Sequence, residues 1–306
     1  MALTAIGTVL LPPHRAAGGF DHASVDANGD RMYVAHTCND ALEVIDLRTR
    51  THLATLDGFP GVAGAAVDAR RGILIATNRG EGTVGIAPLS DFTEISRIPV
   101  GIRPNGLAIA PDRGLALAAL VGDPAVPGSP GAAIINLDTH SVMATVRLPG
   151  RTRWTIYDQQ RGLFFMNIAD PAVIVAIAPD GSGVVRTMPV PVVGPHGLDL
   201  DPERGLLLCA ADGGEVVALE ADTGRVVAQV SICGVPDVVF FNPRRQRLYV
   251  AIAEPGVIQV VDTARWTIAE TVRTGPGAKT SGFDAMREHL YAFVPESHSA
   301  IVFVEK

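Results

Sequence analysis

The chain has 306 residues, a formal net charge of -7, 47% hydrophobic and 19% charged residues, and 32 glycines beside 22 prolines. That much apolar side chain excludes a wholly disordered chain, and glycines without a three-residue period exclude collagen. No run approaches 18 uninterrupted apolar residues, which argues against a transmembrane helix, and the negative balance argues against nucleic acid as the main partner.

The elements repeat along the chain. Residues 5–11 read as a first apolar strand. Strand pairs then follow: 23–26 with 31–35, 65–68 with 72–76, 107–110 with 114–118, and 155–158 with 162–166. Three more come at 198–201 with 205–209, 239–242 with 247–251, and 281–284 with 289–293. The first strand of each pair mostly ends in Asp or Asn, at 26, 68, 110, 158, 201, 242 and 284, a mean spacing of about 43 residues. That is the period of a four-stranded propeller blade. Third strands follow, for example at 41–46, 132–138, 216–220 and 257–262, then outer strands such as 53–56 and 226–230. Gly, Pro and Asp turns separate them, and no segment sustains a helical period.

The seventh unit stops after its third strand at 300–304. Residues 5–11 can supply its missing outer strand, so the expected fold is all-β, one domain over 1–306, a seven-bladed propeller closed by the N-terminal strand. A linear β-solenoid is the rival, but its repeats are usually shorter and the missing strand would then be an accident. The start, Met1 to Gly7, has no basic stretch leading into an apolar core and a cleavage site. That points to a cytoplasmic protein, or to one whose leader has been removed. Cys38, Cys209 and Cys233 are odd in number and lack CxxC spacing, so neither a disulfide framework nor a zinc site built on thiolates is expected.

The third-strand endings at 44–49, 135–139 and 260–263, together with Arg31-Met32-Tyr33-Val34-Ala35-His36, resemble the YVTN-type seven-bladed propellers, including the YncE-like proteins. The resemblance spans almost the whole chain and implies the fold; the matching residues are scaffold, so it implies little about function. Many relatives are exported, and the absent leader departs from that habit. The turns Gly194-Pro195-His196-Gly197-Leu198 and Arg103-Pro104-Asn105-Gly106-Leu107 resemble, more weakly, strand starts in gluconolactonase-type lactonases and streptogramin B lyase. Those are propellers with a divalent ion near the channel mouth. The same turns can be purely structural, because Pro limits the approach and Gly lets the chain turn.

Five residues before each strand ending stand Asp21, Ala63, Asn105, Arg153, His196, Asp237 and Lys279. Six of these seven are polar or charged in a chain that is only 19% charged, as at a channel mouth and unlike a packed core. A second series, His36, Asn78, Asn167, Asp212, Glu254 and Glu296, lies where the second strands leave the same face. Imidazoles and carboxylates from the two series, His22, His36, His196, Glu254 and Glu296, can surround a divalent metal ion, although they match no compact metal motif and each alone is an ordinary surface group. The implied chemistry is metal-assisted hydrolysis of a lactone or ester, or a lyase reaction, on a small polar or cyclic ligand, with His196 or His22 taking the proton. The alternative is a propeller that binds a small ligand or a protein without catalysis. Trp154 either stacks on an organic ligand or packs between blades. An insertion at 121–131, with three prolines, is expected beside the mouth, as a ligand lid or as a passive loop.

Overall fold

The computed structural model describes residues 2–306 apart from Ala27 and Thr93; Met1, where the leader reading begins, lies outside them. The described residues form seven four-stranded antiparallel sheets. After β1 (Leu3–Leu10) the first blade is β2 (Phe20–Asp26), β3 (Arg31–His36), β4 (Ala41–Asp46) and β5 (Thr51–Asp57). The second is β6 (Val62–Asp68), β7 (Ile73–Asn78), β8 (Thr83–Pro88) and β9 (Ser96–Pro99). The third is β10 (Pro104–Ala110), β11 (Leu115–Leu120), β12 (Gly131–Asn136) and β13 (Ser141–Arg147). The fourth is β14 (Thr152–Asp158), β15 (Leu163–Ile168), β16 (Val173–Ile177) and β17 (Val184–Pro189). The fifth is β18 (Pro195–Asp201), β19 (Leu206–Ala211), β20 (Glu215–Glu220) and β21 (Val226–Ser231). The sixth is β22 (Pro236–Asn242), β23 (Arg247–Ile252), β24 (Val257–Asp262) and β25 (Thr267–Arg273). The seventh is β26 (Thr280–Asp284), β27 (His289–Val294) and β28 (Ser299–Glu305), completed by β1. The ring is closed as the sequence implies: β1 runs antiparallel to β28, from Leu3 opposite Glu305 to Leu10 opposite Ser299.

Middle strands pack between neighbouring blades, so both of their faces are apolar; every residue of β11, Leu-Ala-Leu-Ala-Ala-Leu, is buried. Outer strands such as β25 alternate between exposed and half-buried positions. The core therefore lies between blades. One cluster joins Leu117 and Ile134 of the third blade to Phe164 and Val175 of the fourth. Another joins Val9 of β1 and Tyr291 and Val302 of the seventh blade to Phe20 and Val34 of the first.

The strand endings that reveal the period are buried turn anchors. The Asp158 carboxylate accepts the backbone N–H groups of Gln160 and Arg161 at 2.9 and 3.1 Å, and the Arg161 guanidinium at 2.8 Å. Arg161 then reaches Asp222 of the next blade at 2.8 Å. Asp68 and Arg71 repeat the device toward Asp138, and Asp201 and Arg204 repeat it toward Thr263. Asp284 and Arg287 carry it across the closure to Asp30. Asn242 does the same capping in the sixth blade, where an amide oxygen replaces the carboxylate.

Removing residues 1–12 is expected to leave β28 unpaired, so that cooperative thermal unfolding is lost or the protein aggregates in a light-scattering melt. Asp158→Ala should cost roughly 3 kcal/mol in a denaturant titration, because it strips a buried pair and two turn hydrogen bonds. Asp158→Asn should cost less, as it keeps the acceptor.

Candidate functional site: a basic channel mouth

The mouth is built by a repeated irregularity. Each of the first six innermost strands breaks register near its start, for example between Phe20 and Ala23, Thr152 and Thr155, and Pro195 and Gly197. A bulge frees residues from the ladder and re-aims their side chains. The freed positions hold Asp21, Ala63, Asn105, Arg153, His196 and Asp237, and Lys279 stands just before β26. Glycine follows in the second, third and fifth blades because the next blade presses close. A Cβ on Gly64 would lie 2.4 Å from the Asn105 carbonyl oxygen, and one on Gly197 would lie 2.5 Å from that of Asp237. The first and fourth blades put His22 and Trp154 there instead. Their rings stack with centroids 4.1 Å apart, meeting across the channel from blades that are not neighbours. Trp154 is thus a channel residue.

Six of the seven residues in the first series, all but Ala63, line one cavity of about 150 Å³ together with His22, Trp154, Arg79, Arg103 and Arg151. Five basic side chains face two carboxylates there, in a chain whose net charge is -7. Arg79 donates to Asp21 at 2.7 Å and to Asn105 at 2.8 Å. Lys279 pairs with Asp237 at 3.2 Å, and Arg153 with Asp212 at 3.2 Å. The Nε–H groups of Arg79 and Arg153 are buried without a partner.

The two mouth histidines differ. His196 lies between carboxylates, with Nδ1 2.7 Å from Asp212 and Nε2 3.2 Å from Asp237. Burial and the Arg153 guanidinium, 3.0 Å from Nε2, oppose its charged form, but the hydrogen bonds to Asp212 and Asp237 outweigh them and hold the imidazole above the ordinary histidine value. Burial likewise raises Asp237, and His196 and Lys279 overcome it, leaving a carboxylate well below its usual range. His22 has Nδ1 2.6 Å from Asp21, and its Nε2 is buried with no partner. Burial raises Asp21, while His22 and Arg79 more than compensate, so Asp21 stays ionised and orients the ring.

The second series scatters. Asp212 supports His196, and the Asn167 amide donates to the carbonyls of His196 and Gly197 at 3.0 Å each. Asn78 is buried and donates to Thr83 at 3.0 Å. Glu254 and Glu296 are exposed in the turns after β23 and β27, and neither lines the mouth cavity. The donor set His22, His36, His196, Glu254 and Glu296 is therefore not gathered around one point. Among the described residues, the group whose donor atoms lie close enough to hold an ion is His14, His36 and Cys38, all within 4.8 Å of one another. Only His36 of that group stands out from the repeat pattern. His14 lies in the linker between β1 and β2, residues 11–19, which is longer than the four- to six-residue linkers that join the other blades; the short spacing of His36 and Cys38 was the one available signal. Sequence comparison of blades also misses Asp199, pushed up to about 6 by burial while it accepts the backbone N–H of Phe241 at 2.6 Å. Cys209 is buried with its thiol pushed up to about 12 by desolvation, as an inert core cysteine should be.

The 121–131 insertion stands beside the mouth. With Arg103, Leu148 and Arg151 it encloses a second cavity of about 410 Å³, lined by Val126, Pro124, Pro127 and Pro130. Arg103, Val121 and Arg151 belong to both cavities.

No family model matches the chain, and no curated protein matches it. The chain is similar in structure to a chain of Kuenenia stuttgartiensis hydrazine synthase, with a TM-score of 0.83 at 15% identity over 94% of this chain and 96% of that one. At that identity the likeness shows the seven-bladed fold alone. No helix is long and apolar enough to cross a membrane.

A histidine whose value is raised on folding stabilises the fold fully below its unfolded value near 6.5, and the gain is lost as pH rises through the folded value. An NMR titration should place the His196 midpoint above 6.5, and the stability gap between wild type and His196→Gln should shrink as pH rises through that midpoint.

Proposed function

We propose that the chain is a small-molecule enzyme whose substrate is a small organic anion, bound at the channel mouth with its apolar part under the 121–131 loop. The observation that carries this reading is the unpartnered Nε2 of His22, backed by Asp21, in a cavity lined by five basic side chains with two unused guanidinium N–H groups. The adjoining apolar cavity argues for an amphipathic ligand, such as a carboxylate-bearing ester or lactone. The Asp21 carboxylate accepts a hydrogen bond from Nδ1–H, which leaves the Nε2 lone pair free to act as a general base. His22 removes a proton from water as the water oxygen bonds to the carbonyl carbon. The Arg79 and Arg153 N–H donors stabilise the oxyanion, and the proton passes from His22 to the leaving alkoxide as the C–O bond breaks. His196, whose charged form Asp212 and Asp237 favour, lies in the same cavity to meet the ligand's charge. The same base would serve a lyase reaction by removing a proton beside a carboxylate. The repeat resemblance supports a place among the YVTN-type propellers.

One observation favours binding without turnover. The mouth charges already pair with each other, Arg79 with Asp21, Lys279 with Asp237 and Arg153 with Asp212, which would also suit a static receptor for a small ligand or a protein segment.

Trp154 fluorescence, with Trp154→Phe as control, should report binding of small aromatic carboxylates that weakens with salt and is lost in Arg153→Met. If the chain is an enzyme, hydrolysis across a panel of carboxylate esters and lactones should fall about 100-fold or more in His22→Gln with binding retained. Binding without turnover selects the receptor reading, and no salt-sensitive anion binding removes both.

A further inference from the structure

We propose that His14, His36 and Cys38 form a second site, a transition-metal centre at the seam between the last and first blades, with His298 as the closing ligand. None of these residues lines the mouth cavity, so the site stands apart from the function proposed for it. The four come from three separate places: the linker between β1 and β2, the end of β3 with the short 3-10 turn Thr37–Asn39, and the turn between β27 and β28. The His14 ring sits 4.9 Å from that of His36 and 4.4 Å from that of His298, centroid to centroid.

Three ring nitrogens here, His14 Nε2, His36 Nε2 and His298 Nδ1, are buried with no hydrogen-bond partner. Buried polar atoms are rarely left so, and three orphans in one cluster mark a group that the protein chain does not itself supply. His36 is fully buried, and its other nitrogen, Nδ1, lies 2.7 Å from Glu43. Glu43 is also fully buried, and its second oxygen takes Thr55 Oγ1 at 2.6 Å and His52 Nε2 at 2.8 Å. A carboxylate that accepts the Nδ1 proton leaves Nε2 with a free lone pair, the arrangement found behind metal-binding histidines.

The surrounding backbone is shaped to bring the linker in. Asn39 accepts the Arg15 N–H at 2.8 Å and donates to the Pro13 carbonyl at 3.1 Å, which clamps both sides of His14. Gly18 has φ +146°, and a Cβ there would lie 2.8 Å from the Cys38 Cβ, so only glycine admits so close an approach. The donor atoms of His14, His36 and Cys38 lie within 4.8 Å of one another, against roughly 3.5 Å around one tetrahedral ion, so a bound ion would draw them inward, and His298, outside that group, would swing in from its contact with the His14 ring. Imidazoles with one thiolate select Zn²⁺ or copper over Ca²⁺ or Mg²⁺. A cavity of about 570 Å³ beside Cys38, which shares Asp21, Arg79 and Lys279 with the mouth, offers the ion a way in. A bound ion would clip the linker and the seventh blade to the first.

The test uses the untagged full-length chain, stripped with chelator and titrated with Zn²⁺, Co²⁺ and Cu²⁺. The expected result is one equivalent bound, a raised melting temperature, and a thiolate-to-metal charge-transfer band in the Co²⁺ form. Cys38→Ser should abolish the band, and His298→Ala should weaken binding at least tenfold, while both metal-free variants melt as the wild type does. His196→Gln should bind normally. A Cys38-dependent band with Cu²⁺ and tighter copper binding would support the site and assign it to copper. Failure of all three ions to bind stoichiometrically, or binding that keeps its spectrum in Cys38→Ser, would overturn the proposal.

Discussion

The pairing of β1 with β28 is the contact on which the rest of the structure depends. Seven blades in a row would present open strand edges at both ends, and their apolar inter-blade faces would lie bare. Lending the start of the chain to the last blade turns the row into a ring and makes the seam as strong as the strands within a blade. It also fixes where everything near the seam lies. Asp21 and His22 come to share a cavity with Lys279, more than 250 residues away in sequence, because β2 packs on β26 there. The linker that returns from β1 to β2 is also the segment that places His14 beside His36.

The two ends of the innermost strands use charge differently. At their far ends, buried Asp anchors and Arg staples satisfy one another and tie the second, fourth, fifth and seventh blades to the next. The anchors and staples partner one another, and the arrangement is structural. At the mouth, bulges free the side chains from the ladder and crowd them together, and the bookkeeping is left incomplete: His22 Nε2 and the Nε–H groups of Arg79 and Arg153 remain without partners. Unused donors among basic groups in a confined, low-dielectric mouth are what an anionic ligand needs, and the field there is opposite to that of the whole chain.

Much of this was legible in the sequence for a physical reason. A propeller repeats one local problem seven times, so comparable positions in each unit face comparable surroundings. The spacing from Asp26 to Asp284 exposes the turn anchors, and counting back from them finds Asp21, Asn105, Arg153, His196, Asp237 and Lys279 on one cavity. Where the repeat is broken, that reasoning loses its reference. His14 sits in the extended part of the longest blade-to-blade linker, and Arg79, Arg103 and Arg151 lie in turns outside the compared positions. Glu254 and Glu296 show the converse: they occupy equivalent positions after β23 and β27, yet the turns there carry their side chains into solvent.

The sequence by itself determined the seven blades, their closure by the N-terminal strand, and which inner-strand residues crowd the mouth, because periodicity and apolar patterning are properties of the chain read in one dimension. Only the tertiary structure decided what those residues do to each other. What surrounds each histidine is a matter of neighbours in space: His196 has Asp212 on one nitrogen and Asp237 with Arg153 on the other, while His22 has Asp21 on one nitrogen and nothing on the other. The gathering of His14, His36 and Cys38 was equally out of reach, since it follows from where the lengthened linker docks, and docking is set by Asn39, Gly18 and the seam rather than by spacing along the chain.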